Sequence, residues 1–219
     1  MTTIRLTHVR TELALHELRA GEGRPLLLLH GLGERTPDAV PDDVAAWPGP
    51  IVGLDLSGHG ASSRAPGGGY TAEVLMADVD TVLAHLGPAT IVGRGLGAYV
   101  ATLIAGARPQ LVRGAVLCDG PGLAGGGPAP HSPAVIAPLA LHDDADAPDP
   151  YALVELARDI RPEDYATTYV RQAIELSGLE VPVAVAAVVR PPWLAAVAAE
   201  PGVAVEPLAD AIRRYGAVG

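Results

Sequence analysis

The sequence predicts an α/β fold: a mostly parallel sheet of about eight strands with helices on both faces. Three observations carry this expectation. Short, uninterrupted apolar runs end at Gly- or Pro-containing turns, as strands buried on both faces of a parallel sheet do. Helical stretches alternate with those runs. The chain has 219 residues, 49% hydrophobic and 18% charged, which is enough for one sizeable core and short for two.

Residues 4–11 and 12–17 alternate in polarity and read as two N-terminal strands, with Ala20-Gly21 turning the chain. Apolar runs at 25–29, 51–54, 90–92, 115–118, 183–189 and 203–205 supply the remaining strands. The clearest helix spans 71–86. Thr71 is placed as its N-cap, Leu75, Val79, Val82 and Leu86 form one face, and Gly87-Pro88 ends it. A second helix is expected over 96–107. Residues 120–178 break the alternation with a Gly/Pro-rich stretch, an acidic patch (His142, Asp143, Asp144, Asp146) and two helix starts, Asp149-Pro150 and Arg161-Pro162-Glu163. Strand-like runs resume at Val181, so residues 1–219 read as one domain with 120–178 as a reduced helical cap.

Composition excludes several function classes. Against 15 basic residues stand 25 acidic ones, a formal charge of −10, so neither nucleic acid nor an anionic membrane is the expected partner. One cysteine, Cys118, cannot build a disulfide framework or a cysteine-based zinc cluster. The first ten residues are polar with alternating apolar positions, unlike a secretory signal, and the expected location is cytoplasmic. All basic residues are Arg, and Phe and Asn are absent, a bias typical of a GC-rich bacterium.

Three segments that end predicted strands carry the chemistry: Leu29-His30-Gly31-Leu32-Gly33, Asp55-Leu56-Ser57-Gly58-His59-Gly60-Ala61-Ser62, and Val92-Gly93-Arg94-Gly95-Leu96-Gly97. In that order they resemble the α/β-hydrolase superfamily: an HG turn, a D-x-x-G-H-G-x-S loop and a nucleophile elbow. The resemblance covers roughly the first 120 residues by motif. It implies a nucleophile at the middle of the elbow, an acid after the next-to-last strand and a His after the last. It also implies an oxyanion hole made by the N–H groups of Leu32 and Leu96.

The sequence departs from that pattern where the reaction would occur. The elbow position is Gly95, which has no side chain to acylate. Arg190-Pro191-Pro192-Trp193 follows the run ending at Val189, with no carboxylate, and the last His of the chain is His142. Losing nucleophile and base together points to natural decay or repurposing. The expected role is therefore non-catalytic, a small-molecule binding or regulatory protein whose ligand site is built from His30, Leu32, Gly95 and Leu96. No cofactor, metal or catalytic residue is assigned, and a homo-oligomer or a partner protein is left open. Two alternatives use the same residues. One is a hydrolase acting through displaced groups, His30, His59 or Asp119. The other is an NAD(P)-binding protein in which Gly93, Gly95 and Ala98 satisfy G-x-G-x-x-A and Asp119 meets the ribose. Cys118 is expected in the core, while Trp193, Tyr165 and Tyr169 either pack in the core or line a pocket.

Overall fold

The computed structural model describes residues 2–129 and 147–217, so the acidic patch His142, Asp143, Asp144 and Asp146 lies outside the described residues. Eight strands form one sheet in the order β1-β2-β4-β3-β5-β6-β7-β8. β1 (Thr2–His8) and β2 (Thr11–Arg19) make an antiparallel hairpin, and β2 pairs antiparallel with β4 (Ile51–Asp55). The others are parallel: β3 (Leu26–Leu29) lies between β4 and β5 (Ala89–Arg94), followed by β6 (Val112–Cys118), β7 (Val183–Val185) and β8 (Val203–Val205).

The two-residue period of the strands divides the core. Leu27, Leu29, Ile91 and Leu117 face α1 (Ala72–Leu86), α2 (Leu96–Ala107), α4 (Glu163–Leu176) and α5 (Pro192–Ala198). Leu26, Val92 and Val116 face α6 (Leu208–Gly216) and the loop bearing Val44 and Trp47. α2 is buried from Leu96 to Gly106, beneath α1 and α4 and upon β5 and β6. Gly106 makes the α4 contact this close, because a Cβ there would stand 2.4 Å from the Tyr169 carbonyl oxygen. Among the described residues no helix is long and apolar enough to cross a membrane.

α1 has the expected boundaries. The Thr71 hydroxyl accepts from the Val74 N–H at 3.3 Å, and Gly87, at φ +75, donates its N–H to the Leu83 carbonyl. Three expectations need correction. The N-terminal strands separate at Val9-Arg10, two residues earlier than polarity suggested, because no Gly or Asn marks that turn. β7 stops at Val185: Val188 and Val189 are apolar but 85% and 67% exposed, with no strand partner. Pro162 is the N-cap of α4 and not its first helical residue, whereas Pro150 does open α3 (Pro150–Arg158).

The described part of 120–178 contributes two helices, α3 and α4. α4 joins the helical layer between α2 and α5. α3 lies over the loops at the strand ends, where its carboxylates satisfy orphan backbone donors. Glu155 accepts from the N–H groups of Gly69 and Tyr70, at 2.8 and 2.7 Å, and Asp159 accepts from Ala72 N–H at the first turn of α1. The Tyr70 hydroxyl donates to Asp149, the N-cap of α3, at 2.7 Å.

Candidate functional site

The turn from β5 into α2 is sharp. Gly95 takes φ +58 and ψ −116, in the region that glycine enters without strain. Gly93 and Gly97 let the helix start press on the sheet. A Cβ at Gly93 would lie 2.3 Å from the Gly97 carbonyl oxygen, and one at Gly97 would lie 2.5 Å from that of Leu29. Every N–H at this helix start has an internal acceptor: Gly95 donates to Cys118 O, Leu96 to Pro121 O, Gly97 to His30 O and Ala98 to Gly95 O.

The N–H groups of Leu32 and Leu96 converge as the motifs imply, and both point at one carbonyl oxygen, that of Pro121, at 3.0 and 2.9 Å. The chain itself thus occupies the point on which these two donors converge. The same oxygen would stand 2.1 Å from a Cβ on Gly95, with the Gly120 carbonyl carbon at 2.6 Å, so no side chain fits at the elbow while this loop is in place. Glycines on either side bring the loop close. A Cβ on Gly120 would meet Arg94 Cγ at 2.6 Å, and one on Gly122, at φ +76, would meet Leu32 Cβ at 2.6 Å.

Arg161 anchors that loop from beneath. It is 1% exposed, stacks over the Tyr99 ring at 4.6 Å, and donates to the carbonyls of Gly122 and Leu123. Burial pulls its pKa down to about 10. The Trp193 indole N–H also donates to Leu123 O, at 2.8 Å, and its ring packs edge-on against Tyr99. Sequence reasoning missed Pro121 and Arg161; Gly120-Pro121-Gly122 was the local signal for the first.

His30 has both ring nitrogens committed. Gly31 O can only accept, so Nδ1 carries the proton and donates to it at 2.8 Å, while Nε2 accepts from Leu56 N–H at 3.0 Å. Burial pushes the pKa of His30 down and keeps it neutral. His59 lies beside it, ring centres 5.1 Å apart, and its Nδ1 donates to Ser57 O while Nε2 has no partner among the described residues. Burial, with His30 adjacent, lowers the pKa of His59 to about 4. Asp119 clamps the chain after β7: its two oxygens accept from the N–H groups of Val188 and Val189 at 2.7 and 2.9 Å. Asp55 organises the D-x-x-G-H-G-x-S loop, accepting from Thr36 N–H, Ala61 N–H and His16. Burial opposes its ionisation, but these hydrogen bonds outweigh it and hold Asp55 below the usual carboxylate range.

A cleft of about 480 Å³ opens on the α6 face, at the carboxyl ends of β3, β5 and β6. Leu28, Val92 and Cys118 form its floor, and Glu34, Arg35, Asp43 and Arg94 stand among its lining residues. His30 reaches this cleft, whereas Leu32, Gly95 and Leu96 gather around Pro121 instead. Arg94 pairs with Glu34, Nε to Oε2 at 3.0 Å. Cys118 is half-buried at the cleft floor, not sealed in the core, and burial pushes its thiol up to about 12. Tyr165 and Tyr169 pack edge-on, and Tyr165 lines a second, acidic cleft with Glu73, Asp159 and Asp164. Among the described residues no group of three His, Cys, Asp or Glu side chains is placed to hold a metal ion.

The sequence profile of the alpha/beta hydrolase fold family matches residues 24–152. Over 120 residues the chain is 27% identical to an (E)-2-((N-methylformamido)methylene)succinate hydrolase of Acinetobacter baylyi, covering 54% of this chain and 44% of that protein. Over 111 residues it is 33% identical to an esterase of Mycobacterium tuberculosis, covering 48% of this chain and 36% of that protein. The chain thus spans less than half the length of these curated relatives. Among solved structures, a thioesterase domain from the curacin biosynthetic pathway superposes over 100% of this chain and 98% of its own, with TM-score 0.66 and 18% identity. A second, an N-formylmaleamic acid deformylase of Pseudomonas putida, covers 94% of this chain and 92% of its own, with TM-score 0.57 and 14% identity. At these identities the likeness is one of fold.

Proposed function

Because the chain belongs to the alpha/beta hydrolase fold family, we propose that it is a member without serine-hydrolase chemistry, retained as a small-molecule binding or regulatory protein. The observation that carries this reading is the Pro121 carbonyl. It accepts both would-be oxyanion donors and lies only 2.1 Å from where the Cβ of a nucleophile would stand. An acyl transfer at this elbow lacks the attacking hydroxyl and the site that would stabilise its tetrahedral intermediate.

The two alternatives are weaker on the same geometry. For displaced-residue hydrolysis, the nitrogens of His30 and the oxygens of Asp119 are already used by the backbone. His59, with its pKa near 4, is a feeble base at neutral pH. For NAD(P), a pyrophosphate needs free N–H groups at the helix start. Those of Leu96, Gly97 and Ala98 already donate to internal carbonyls.

The test is turnover of p-nitrophenyl butyrate by the wild type and by Gly95→Ser. Neither should exceed a heat-treated control. Gly95→Ser should in addition be destabilised by about 2 kcal/mol or more, a fall in Tm of roughly 4–8 °C, since strain and overpacking both oppose the new Cβ. Saturable turnover by the wild type that disappears on His30→Ala would establish the displaced-residue hydrolase instead.

A further inference from the structure

Two neighbouring parallel strands need a crossover, and a helix usually supplies it. Between β3 and β4, residues 30–50 contain only one 3-10 turn, Asp42–Val44. Four helices pack the opposite face of the sheet, while this one has α6 alone among the described helices. Trp47, Ile212 and Tyr215 cover the face lower down. Toward the carboxyl ends the described residues leave the sheet uncovered, and that is where the cleft lies.

Its floor is continuous across three strands. Leu28 pairs in register with Val92 on β5, and Arg94, two residues on, pairs with Cys118 on β6. Leu28 and Cys118 are only partly buried although they sit on interior strands of the sheet, because their side chains face the opening. Val44, Pro41 and Leu208 form apolar walls. The charges at the cleft are balanced: Arg94 and Arg35 stand against Glu34 and Asp43. Arg94 is gripped by Glu34, which also accepts the Gly31 N–H at 3.0 Å, and Arg35 pairs with Asp38. An anion entering here would meet Glu34 and Asp43, and a cation would meet both guanidiniums. The volume of about 480 Å³ lies within the range of small-ligand sites.

We propose that this cleft is the ligand site and that its ligand is an uncharged, predominantly apolar small molecule. The proposal rests on the binding reading above for the protein's role, but not on the loss of hydrolysis.

The experiment is a fluorescence titration of the full chain with N-phenyl-1-naphthylamine, an uncharged apolar probe. Its anionic relative 8-anilinonaphthalene-1-sulfonate is titrated in parallel. The neutral probe should saturate at one site per chain and bind at least about tenfold more tightly than the sulfonate. Cys118→Phe fills the floor and Leu208→Trp fills the wall, and each should weaken the neutral probe at least about tenfold with cooperative thermal unfolding retained. Two variants on different elements keep the test decisive if one of them fails to fold. Tyr165→Ala, in the acidic cleft, should leave the affinity unchanged. Absence of saturable binding by the wild type would overturn the proposal, as would binding that survives both filling variants. A sulfonate that binds as tightly as the neutral probe would overturn the ligand class. Ester turnover would overturn the non-hydrolytic reading and leave this titration standing.

Discussion

Gly95 occupies a backbone conformation that a residue with a Cβ enters at a cost of about 1–3 kcal/mol, and its neighbours leave no room for one. The strain was foreseeable from the elbow motif, but the crowding was not. It depends on Pro121 returning from the end of the next strand to meet Leu32 and Leu96. Only the glycines either side of Pro121 hinted at so close an approach. His59 makes a separate prediction. Its pKa in the folded chain, about 4, lies below the ordinary histidine value of 6.5, so the folded state resists a proton that the unfolded state accepts. Its contribution is therefore complete above pH 6.5 and is lost as pH falls toward 4, by about 3 kcal/mol in all. Urea unfolding of the wild type and His59→Gln at pH 7 and pH 4 checks this. The wild type should lose about 2–3 kcal/mol more than the variant over that interval. Equal losses would clear His59 of the role.

The hairpin that opens the chain turns through Val9-Arg10, between the paired residues His8 and Thr11. Val9 is the one non-glycine at positive φ among the described residues, at +56, and it is 84% exposed. A β-branched residue is poorly suited to that region, and two-residue hairpin turns with positive φ at their first position favour Gly. Val9→Gly should therefore stabilise the protein by about 1 kcal/mol, raising Tm by roughly 2–4 °C in a thermal melt. A lower Tm would show that the valine packs better than its exposure indicates. The turn escaped the sequence reading for the same reason: valine carries no turn signal. α1 was fully legible because Thr71 and Gly87 mark its ends by local chemistry. The extent of β7 was not, since an apolar run becomes a strand only with a neighbour, and Val188 and Val189 are held by Asp119 instead. The helix-free crossover between β3 and β4 could not be read from composition either.

The whole molecule is a mostly parallel eight-stranded sheet of the alpha/beta hydrolase fold family whose elbow is closed by its own backbone. The layout was legible because parallel strands and their turns carry strong local patterns. The state of the site was not, because three loops distant in sequence build it: 30–34, 93–97 and 119–123. The asymmetry of the two sheet faces belongs to this scale too, and it leaves the cleft above α6 in which the ligand site is proposed. The most direct test of the central claim is a crystal structure of the wild-type chain, read at one place: the acceptor of the Leu32 and Leu96 N–H groups. The Pro121 carbonyl oxygen should lie within hydrogen-bonding distance of both nitrogens, near 3.0 and 2.9 Å. A Pro121 carbonyl turned away, with a water or an anion bound between the two N–H groups, would contradict it and return an open oxyanion hole to this protein.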